Sequence, residues 1–326
     1  MKALVTGGTG FVGSHVVRQL IEQGHEVRVL HRKTSRLTLL EDLPYESIIG
    51  DVLDTDVLQA ACAGCDWVFH VAAVSDYWRA DRDYLFRVNV EGTRRVLQAA
   101  AESGVKRVVF TSSAAAVGLN QDGTASDESV AFNLSPEQFP YAYSKALAER
   151  VVHEAIRNGL DVVIVNPVIV MGPGDLNLIS GSFVIQVKKL GVLVPISSGG
   201  ASFVDVRDVG RWQVEAAEQG QTGERYILST AQYSLREWYT LIAAVVDSPA
   251  PIFGVPDTLV PAVATFTDLA RRFGLNLPVD ADQVRLSTRQ VYFDGSKAWE
   301  AFSPPAIDME TSLRDTYNWY REQGMV

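Results

Sequence analysis

Cysteine, positive charge and long apolar runs are all scarce in this chain, and each shortage removes a class of protein. There are two cysteines in 326 residues, too few for a disulfide scaffold. They form Cys62-x-x-Cys65 at the expected end of a helix, where the negative dipole end raises a thiol pKa. A zinc site would need further ligands at similar spacing, and no second cysteine pair exists. We read the pair as small, semi-buried side chains and expect no metal. Lys and Arg total 29 against 39 Asp and Glu, a net charge of −10. That balance disfavours nucleic acid and anionic membranes as partners. No apolar run approaches the roughly 18 residues that span a bilayer. Met1-Lys2 leads into a short strand that Thr6–Gly13 interrupts, so no secretory h-region is expected and the expected location is cytoplasmic. Acidic residues are also missing between Val27 and Leu40, a local gap that matters below.

What is present is an apolar fraction of 47%, enough for one large domain or two joined ones. The chain opens MKALVTGGTGFVG. Ala3–Val5 reads as a strand and Thr6–Gly13 as a glycine-rich turn opening an amphipathic helix that stops at Gly24. Gly7, Gly10 and Gly13 give GxxGxxG, whereas Gly8, Gly10 and Gly13 give GxGxxG. Glycines allow the tight turn, the approach of backbone N–H groups to a pyrophosphate, and close helix–strand packing. The helix N-terminus adds unpaired N–H groups and a positive dipole end. An unliganded glycine turn gives the same letters. The strand before it and the helix after it select the dinucleotide reading, with Gly7, Thr9, Gly10, Phe11, Val12 and Gly13 as the phosphate loop.

Strands are then expected at Glu26–His31, Tyr45–Gly50, Trp67–Ala72, Lys106–Thr111 and Val162–Asn166. Helices are expected at Thr34–Leu43, Asp54–Ala61, Asp81–Ser103 and Tyr141–Asn158. Alternating strands and helices imply right-handed crossovers and an α/β, doubly wound parallel sheet. Beyond Pro167 the rhythm breaks into a loop at Gly172–Asp175, a helix at Gly181–Gly191 and a turn at Gly199-Gly200. Val204–Asp208 leads into a helix at Val209–Gln219 with Asp208 as N-cap, and Tyr226–Ser229 is a strand. Ser234 and Glu237 form a capping box for a helix to about Val246. Prolines 249, 251, 256 and 261 mark a linker before C-terminal helices. The expected division is a dinucleotide-binding lobe at 1–166 and 202–230. A smaller, mostly helical substrate lobe takes 167–201 and 231–326, over the carboxyl ends of the strands.

Tyr141 and Lys145 stand four apart near a helix start, hence on one face. A neighbouring ammonium would lower the phenol's pKa and suit it to proton transfer; a solvated helix pair is the plain alternative. Tyr143 points elsewhere. Ser112 and Ser113 end the fifth strand, where a hydroxyl could hold a substrate oxygen or simply serve a turn. The order and distances of glycine loop, strand-end serine and YxxxK carry more weight than any one of them.

TGGTGFVG, HVAA (70–73), NVEGT (89–93), TSSAAAVG (111–118), YAYSK (141–145) and SLRDTYNWY (312–320) together resemble the extended short-chain dehydrogenase/reductase superfamily over essentially the whole chain. VNVEGT, FTSS and VNPVIVMGP resemble its dihydroflavonol-4-reductase-like branch, including members labelled hopanoid-associated sugar epimerases. The resemblance implies a triad of Ser113, Tyr141 and Lys145, with Ser112 as fallback. Tyr141 would protonate the substrate oxygen, Ser113 would hold it, and Lys145 would bind the nicotinamide ribose. Asp51 and Val52 would meet the adenine, Val71, Ala72 and Ala73 the nicotinamide side, and Pro167 the nicotinamide end. Asn89 is read as a structural hydrogen-bonder.

An NAD site wants an acidic residue roughly 20 residues past the glycines to grip the ribose hydroxyls. Here the gap holds Arg28, His31, Arg32, Lys33 and Arg36. A guanidinium binds a 2′-phosphate bidentately, which favours NADP(H) over NAD(H), with Arg32 best placed and Lys33 or Arg36 assisting. An ordinary basic loop is the plain alternative. The leading expectation is an NADP(H)-dependent reductase of a ketone or aldehyde. Its rival is a nucleotide-sugar epimerase or dehydratase using tightly held NAD⁺. Val117 in place of the usual Tyr, the run VNPVIVMGP and the basic Arg32 segment count against the rival, and Gly118 counts against a true flavonol substrate. A small carbonyl or sugar-like molecule is the expected partner. Candidate pocket residues are Ser75, Asp76, Tyr77, Trp78, Tyr143, Met171 and Phe183. By analogy the helices Asp81–Ser103 and Tyr141–Asn158 could pair in a homodimer.

Overall fold

The computed structural model describes residues 1–75, 81–273 and 281–326. The chain begins β1 (Lys2–Thr6), α1 (Phe11–Glu22), β2 (Glu26–His31), β3 (Glu46–Ile49), α2 (Thr55–Cys62) and β4 (Trp67–His70). Helices α3 (Arg82–Phe86) and α4 (Thr93–Glu102) follow, joined by a π-helical turn at Arg87–Gly92. Next come β5 (Arg107–Thr111), α5 (Pro140–Arg157), β6 (Val162–Pro167), β7 (Ile169–Met171) and α6 (Ser182–Leu190). The remainder is β8 (Gly200–Asp205), α7 (Val206–Gln219), β9 (Arg225–Leu228), β10 (Ala231–Ser234) and α8 (Leu235–Val245), then α9 (Val260–Arg272) and α10 (Ala281–Leu286). The chain closes with β11 (Gln290–Val291), α11 (Ser296–Ala301) and α12 (Met309–Glu322).

Seven strands form one sheet in the order β3-β2-β1-β4-β5-β6-β9, every pair parallel. The chain winds outward from β1 to β3, then returns to β4 and winds the other way. The switch point therefore lies between β1 and β4, where a crevice opens at the carboxyl ends of an open α/β sheet. Alternate strand residues face opposite sides. Leu4, Val68, Val108, Phe110 and Ile164 pack under α2, α4 and α5; Ala3, Val5, Val29, Phe69, Val109 and Val165 pack under α1 and α7. The sheet is thus buried on both faces, as its near-continuous apolar strands require.

Four departures from the sequence reading have physical causes. The helix expected at Thr34–Leu43 is only a 3₁₀ turn at Thr38–Leu40; Lys33, Thr34, Arg36 and Leu37 are exposed, and only the end of the segment, at Leu40 and Leu43, packs on the core. Gly199-Gly200 is not a turn: Gly200 starts β8, which pairs with β7, β10 and β11 in a second sheet. The smaller lobe is therefore helices around this sheet, not helices alone. Third, α7 starts at Val206 and its N-cap is Asp205, whose carboxylate accepts from Arg207 N. Asp208 sits inside the first turn and accepts instead from Ala306 N and Ile307 N, pinning the segment before α12. Last, the long helix expected at Asp81–Ser103 contains the π-helical turn, a bulge of the kind that often marks functional sites. The capping box at Ser234 and Glu237 is present.

Cys62 and Cys65 are buried free thiols. Burial pushes Cys62 up to about 12 and raises Cys65 as well, so both thiols keep their protons at neutral pH. Arg28, counted in the basic stretch, is structural: it donates to Ala61 O and Ala63 O at the end of α2, at 2.7 and 2.9 Å, and pairs with Glu46 at 3.0 Å. Among the described residues no helix is long and apolar enough to cross a membrane, and no group of His, Cys, Asp and Glu could hold a metal.

Candidate active site

A cavity of about 1350 Å³ lies along the carboxyl edge of the seven-stranded sheet and runs into the second lobe. That exceeds the roughly 300–1000 Å³ of a one-ligand pocket, which suits a dinucleotide and a second molecule side by side. Its walls contain Gly7, Thr9, Gly10, Phe11, Val12 and Gly13 from the loop after β1, and Arg32 and Arg36 after β2. Asp51 and Val52 after β3, Val71, Ala72 and Ala73 after β4, and Pro167 at the end of β6 also line it. Ser113, Tyr141 and Lys145 meet there too. Lys33 does not: it is exposed and outside the lining.

The glycine loop is built so that nothing stands between backbone and ligand. Gly7 has φ +72°, and a Cβ on it would lie 2.7 Å from the Ala72 backbone. A Cβ on Gly13 would press into the Gly7 carbonyl, 2.7 Å from its carbon. Helix α1 starts at N-cap Gly10, with no side-chain cap and no acidic residue in its first turn. Its first N–H groups and its dipole are left facing the cavity, a fit for phosphate.

Beneath the loop a buried hydrogen-bond line fixes β1 against β4. Thr6 Oγ1 donates to His70 Nδ1 at 2.8 Å, and His70 Nε2 donates to Thr93 Oγ1 at 3.1 Å, which itself donates to Asn89 O at 2.7 Å. Burial lowers His70 to about 3, so the ring stays neutral and the line keeps one polarity. Asn89, within the π-helical turn, accepts from Val74 N at 2.8 Å and donates to Ser144 Oγ at 3.0 Å. It ties the loop after β4 to the helix that carries Tyr141 and Lys145, the structural role expected of it.

The structure separates the two serines. Ser112 also borders the cavity, but it is buried and its hydroxyl is engaged, donating to Glu149 Oε1 at 2.5 Å. Ser113 lines the cavity, and its hydroxyl hydrogen-bonds the Tyr141 phenol. Lys145 is buried, donates from Nζ to Thr111 O at 2.8 Å, and lies over the Phe110 ring at 4.7 Å. Burial lowers Lys145 to about 8, opposed by the Glu149 carboxylate. For Tyr141 the sequence expectation is reversed: burial raises its pKa and the Ser113 hydrogen bond only partly offsets that. The phenol therefore carries its proton at neutral pH.

Two residues behind the site escaped the sequence reading. Glu149 accepts from Ser112, from Asn166 Nδ2 at 2.7 Å and from Arg225 at 3.1 Å. Asn166 also donates to Ser113 O at 2.9 Å, locking the strand end. The readable signal was the spacing of Glu149, one helical turn after Lys145. Of the pocket candidates, Ser75 and Phe183 line the cavity. Met171 is buried outside the lining, and Tyr143 packs on Phe86 and Phe132. Asp76, Tyr77 and Trp78 lie outside the described residues.

Over residues 3–229 the chain matches the NAD dependent epimerase/dehydratase family. It is 36% identical over 328 residues, 99% of this chain and 95% of the relative, to a Synechocystis protein provisionally named dihydroflavonol 4-reductase. It is 32% identical, over 100% of both chains, to sterol demethylase protein B of Methylococcus capsulatus. The crystal structure of gox2253 superposes with a TM-score of 0.87 at 33% identity, covering 99% of each chain.

Proposed function

We propose, from the premise that the chain belongs to the NAD dependent epimerase/dehydratase family and is an enzyme of the extended short-chain dehydrogenase/reductase class, that it reduces a ketone or aldehyde with NADP(H). The observation that carries this reading is one cavity joining an uncapped helix N-terminus, two arginines at the end of β2, and a protonated phenol bonded to Ser113. Gly7, Gly10 and Gly13 would admit the pyrophosphate, and Arg32 and Arg36 the 2′-phosphate. Asp51 and Val52 would border the adenine; Val71, Ala72, Ala73 and Pro167 would border the nicotinamide. We divide the chain accordingly, residues 1–166 and 202–230 mainly for the cofactor, 167–201 and 231–326 mainly for substrate.

Bound there, the cofactor supplies a hydride. Tyr141 gives its proton to the substrate oxygen, which becomes an alcohol, and Ser113 holds that oxygen in line with the phenol. Lys145, charged below about pH 8, holds the nicotinamide ribose and stabilises the phenolate left behind. Buffer then returns the proton to Tyr141. An NADPH oxidation assay across small ketones and aldehydes tests this reading. Carbonyl-dependent oxidation supports it, and inertness toward every carbonyl rejects it.

Cofactor choice is tested at Arg32. In the protein its guanidinium donates to the Tyr84 hydroxyl at 3.1 Å, which aims it across the mouth of the cavity. Replacing a charge-assisted contact costs about 1.5–3 kcal/mol. Arg32→Ala should therefore weaken NADPH roughly tenfold or more, with NADH unchanged, in a fluorescence titration. Loss of both equally would reject Arg32 as the phosphate ligand.

The pH dependence follows from Lys145. Its ammonium form is lost as pH rises through about 8, so kcat/KM should fall on that side. Glu149 opposes the fall by favouring the charged form. Glu149→Gln should move the alkaline limb to lower pH. A limb that stays put, in a variant that melts like wild type, would remove Glu149 as the residue positioning the charge.

A further inference from the structure

The exposed apolar surface of this protein is concentrated in one part of the smaller lobe. Among the described residues fourteen large apolar side chains are exposed, and nine of them fall within 190–193 and 252–273. Singly scattered apolar residues are ordinary on a surface, whereas a concentration of this kind marks a contact. Leu259, Val263, Phe266, Leu269 and Phe273 recur at intervals of four, three, three and four residues along α9 and just past its ends, the spacing of a single helix stripe. Phe266 is 63% and Phe273 79% exposed. The other side of α9 is already in use: Val260, Ala264, Thr267 and Ala270 are buried, and the helix packs on α10. A helix that is apolar on both sides is normally covered on both.

A second strip adjoins this stripe. Ile196 N donates to Phe253 O at 2.9 Å and Val255 N to Ile196 O at 2.7 Å, which lays 252–255 alongside the chain leaving α6. The exposed Leu190, Leu193, Ile252 and Phe253 belong to this strip. Val194 and Val255 from the strip and Val260 and Val263 from α9 line the same cavity, so strip and stripe meet at its rim. The charge of these segments is opposite in sign to that of the whole chain. Residues 188–193 and 252–273 carry four Lys and Arg against two Asp, a balance of +2 in a chain of −10. Of the two acids, Asp268 pairs with Arg285 and Asp257 accepts from the Ser198 hydroxyl at 2.6 Å, while Lys189 is exposed. Net charge governs what approaches the molecule from all sides, but a flat surface meets one face only, and this one is apolar and basic. That combination complements an anionic lipid surface. A second copy related by a two-fold would instead set the same basic segments against each other.

We propose that the face formed by α9 and the 190–193 and 252–255 strip docks peripherally on an anionic lipid bilayer, with the rim of the cavity turned toward the lipid. The apolar side chains enter the headgroup boundary and the basic groups meet lipid phosphates. No segment spans the bilayer. The proposal concerns a surface and is independent of the cofactor and of the reaction.

Vesicle co-sedimentation of the full chain tests this, using phosphatidylcholine alone and phosphatidylcholine with about one third phosphatidylglycerol. The mixed vesicles are expected to hold the protein at least about tenfold more strongly than phosphatidylcholine alone. Phe266 and Phe273 are exposed and lie outside the cavity lining, so Phe266→Ser/Phe273→Ser should melt like wild type and bind the mixed vesicles about tenfold or more weakly. Lys189→Glu, a second variant that leaves the apolar stripe whole, should weaken mixed-vesicle binding about tenfold and change phosphatidylcholine binding less than about twofold. No sedimentation with either vesicle overturns the proposal, as does binding that the double serine variant leaves unchanged. Equal binding to both vesicles removes the anionic lipid and overturns the charge argument. A wild-type dimer that the double serine variant splits in sedimentation velocity would give this face to a second copy, and that too overturns it. Neither cofactor nor carbonyl enters the measurement, so its failure and that of the reductase reading are separate results.

Discussion

Tyr141→Phe is expected to lower kcat for carbonyl reduction by about 10²–10⁴-fold, the usual worth of a positioned general acid, while NADPH affinity stays within about twofold. The substitution removes one oxygen. The ring remains packed against the cluster under α5, and Lys145 keeps its bond to Thr111 O, so the cofactor side is left as it was. What goes is the proton that burial keeps on the phenol at neutral pH, together with the anchor for the Ser113 hydroxyl. Ser113→Ala should cost less, because the acid survives and only its alignment with the substrate oxygen is lost. Ser112→Ala should act through Glu149 and Asn166 rather than on substrate, and so show itself in stability more than in KM. Single-turnover NADPH oxidation reads these apart. A Tyr141→Phe enzyme turning over at the wild-type rate would remove Tyr141 as the acid.

Gly13→Ala has the second large expected effect. The added methyl would drive into the Gly7 carbonyl and lie 2.9 Å from Gly8 Cα, all backbone, so no side chain can swing aside. Either α1 lifts from β1 or the loop opens, and both deform the surface that meets the phosphates. We expect overpacking to destabilise by about 1–3 kcal/mol and NADPH binding to fall by at least about a hundredfold. Gly24→Ala is the control. Gly24 has φ +80° with nothing within 4 Å of its added Cβ, so the change costs backbone strain of roughly 1 kcal/mol and should leave NADPH affinity alone. A thermal melt and a fluorescence titration on both variants check this. Wild-type affinity in Gly13→Ala would mean that the loop does not hold the phosphates.

The parts of the molecule legible in the sequence are those written locally. The glycine turn, the period-two apolar strands and the S-x-x-E box each specify their structure within about ten residues, and the parallel sheet follows from their alternation. The second sheet was hidden because its pairings are distant in sequence. Gly200 meets Gln290 and Ser234, and β8 through Asp205 reads like the lead-in to α7. The choice between Ser112 and Ser113 was likewise open until Glu149 was seen to claim one hydroxyl. The Tyr141 pKa was misjudged in sign for the same reason. Spacing shows that a lysine is near, but only the packed site shows that burial sets the direction, with the Ser113 hydrogen bond as the opposing cause.

The central claim is that this site exchanges NADP(H) to reduce a carbonyl, rather than holding NAD⁺ for an internal cycle. Native mass spectrometry of the purified protein, before and after addition of equimolar NADPH and NADH, tests it most directly. The account predicts a chain free of nucleotide, or carrying NADP(H) that exchanges, which takes up NADPH in about tenfold preference to NADH. Firmly retained NAD⁺ that added NADPH does not displace would contradict it.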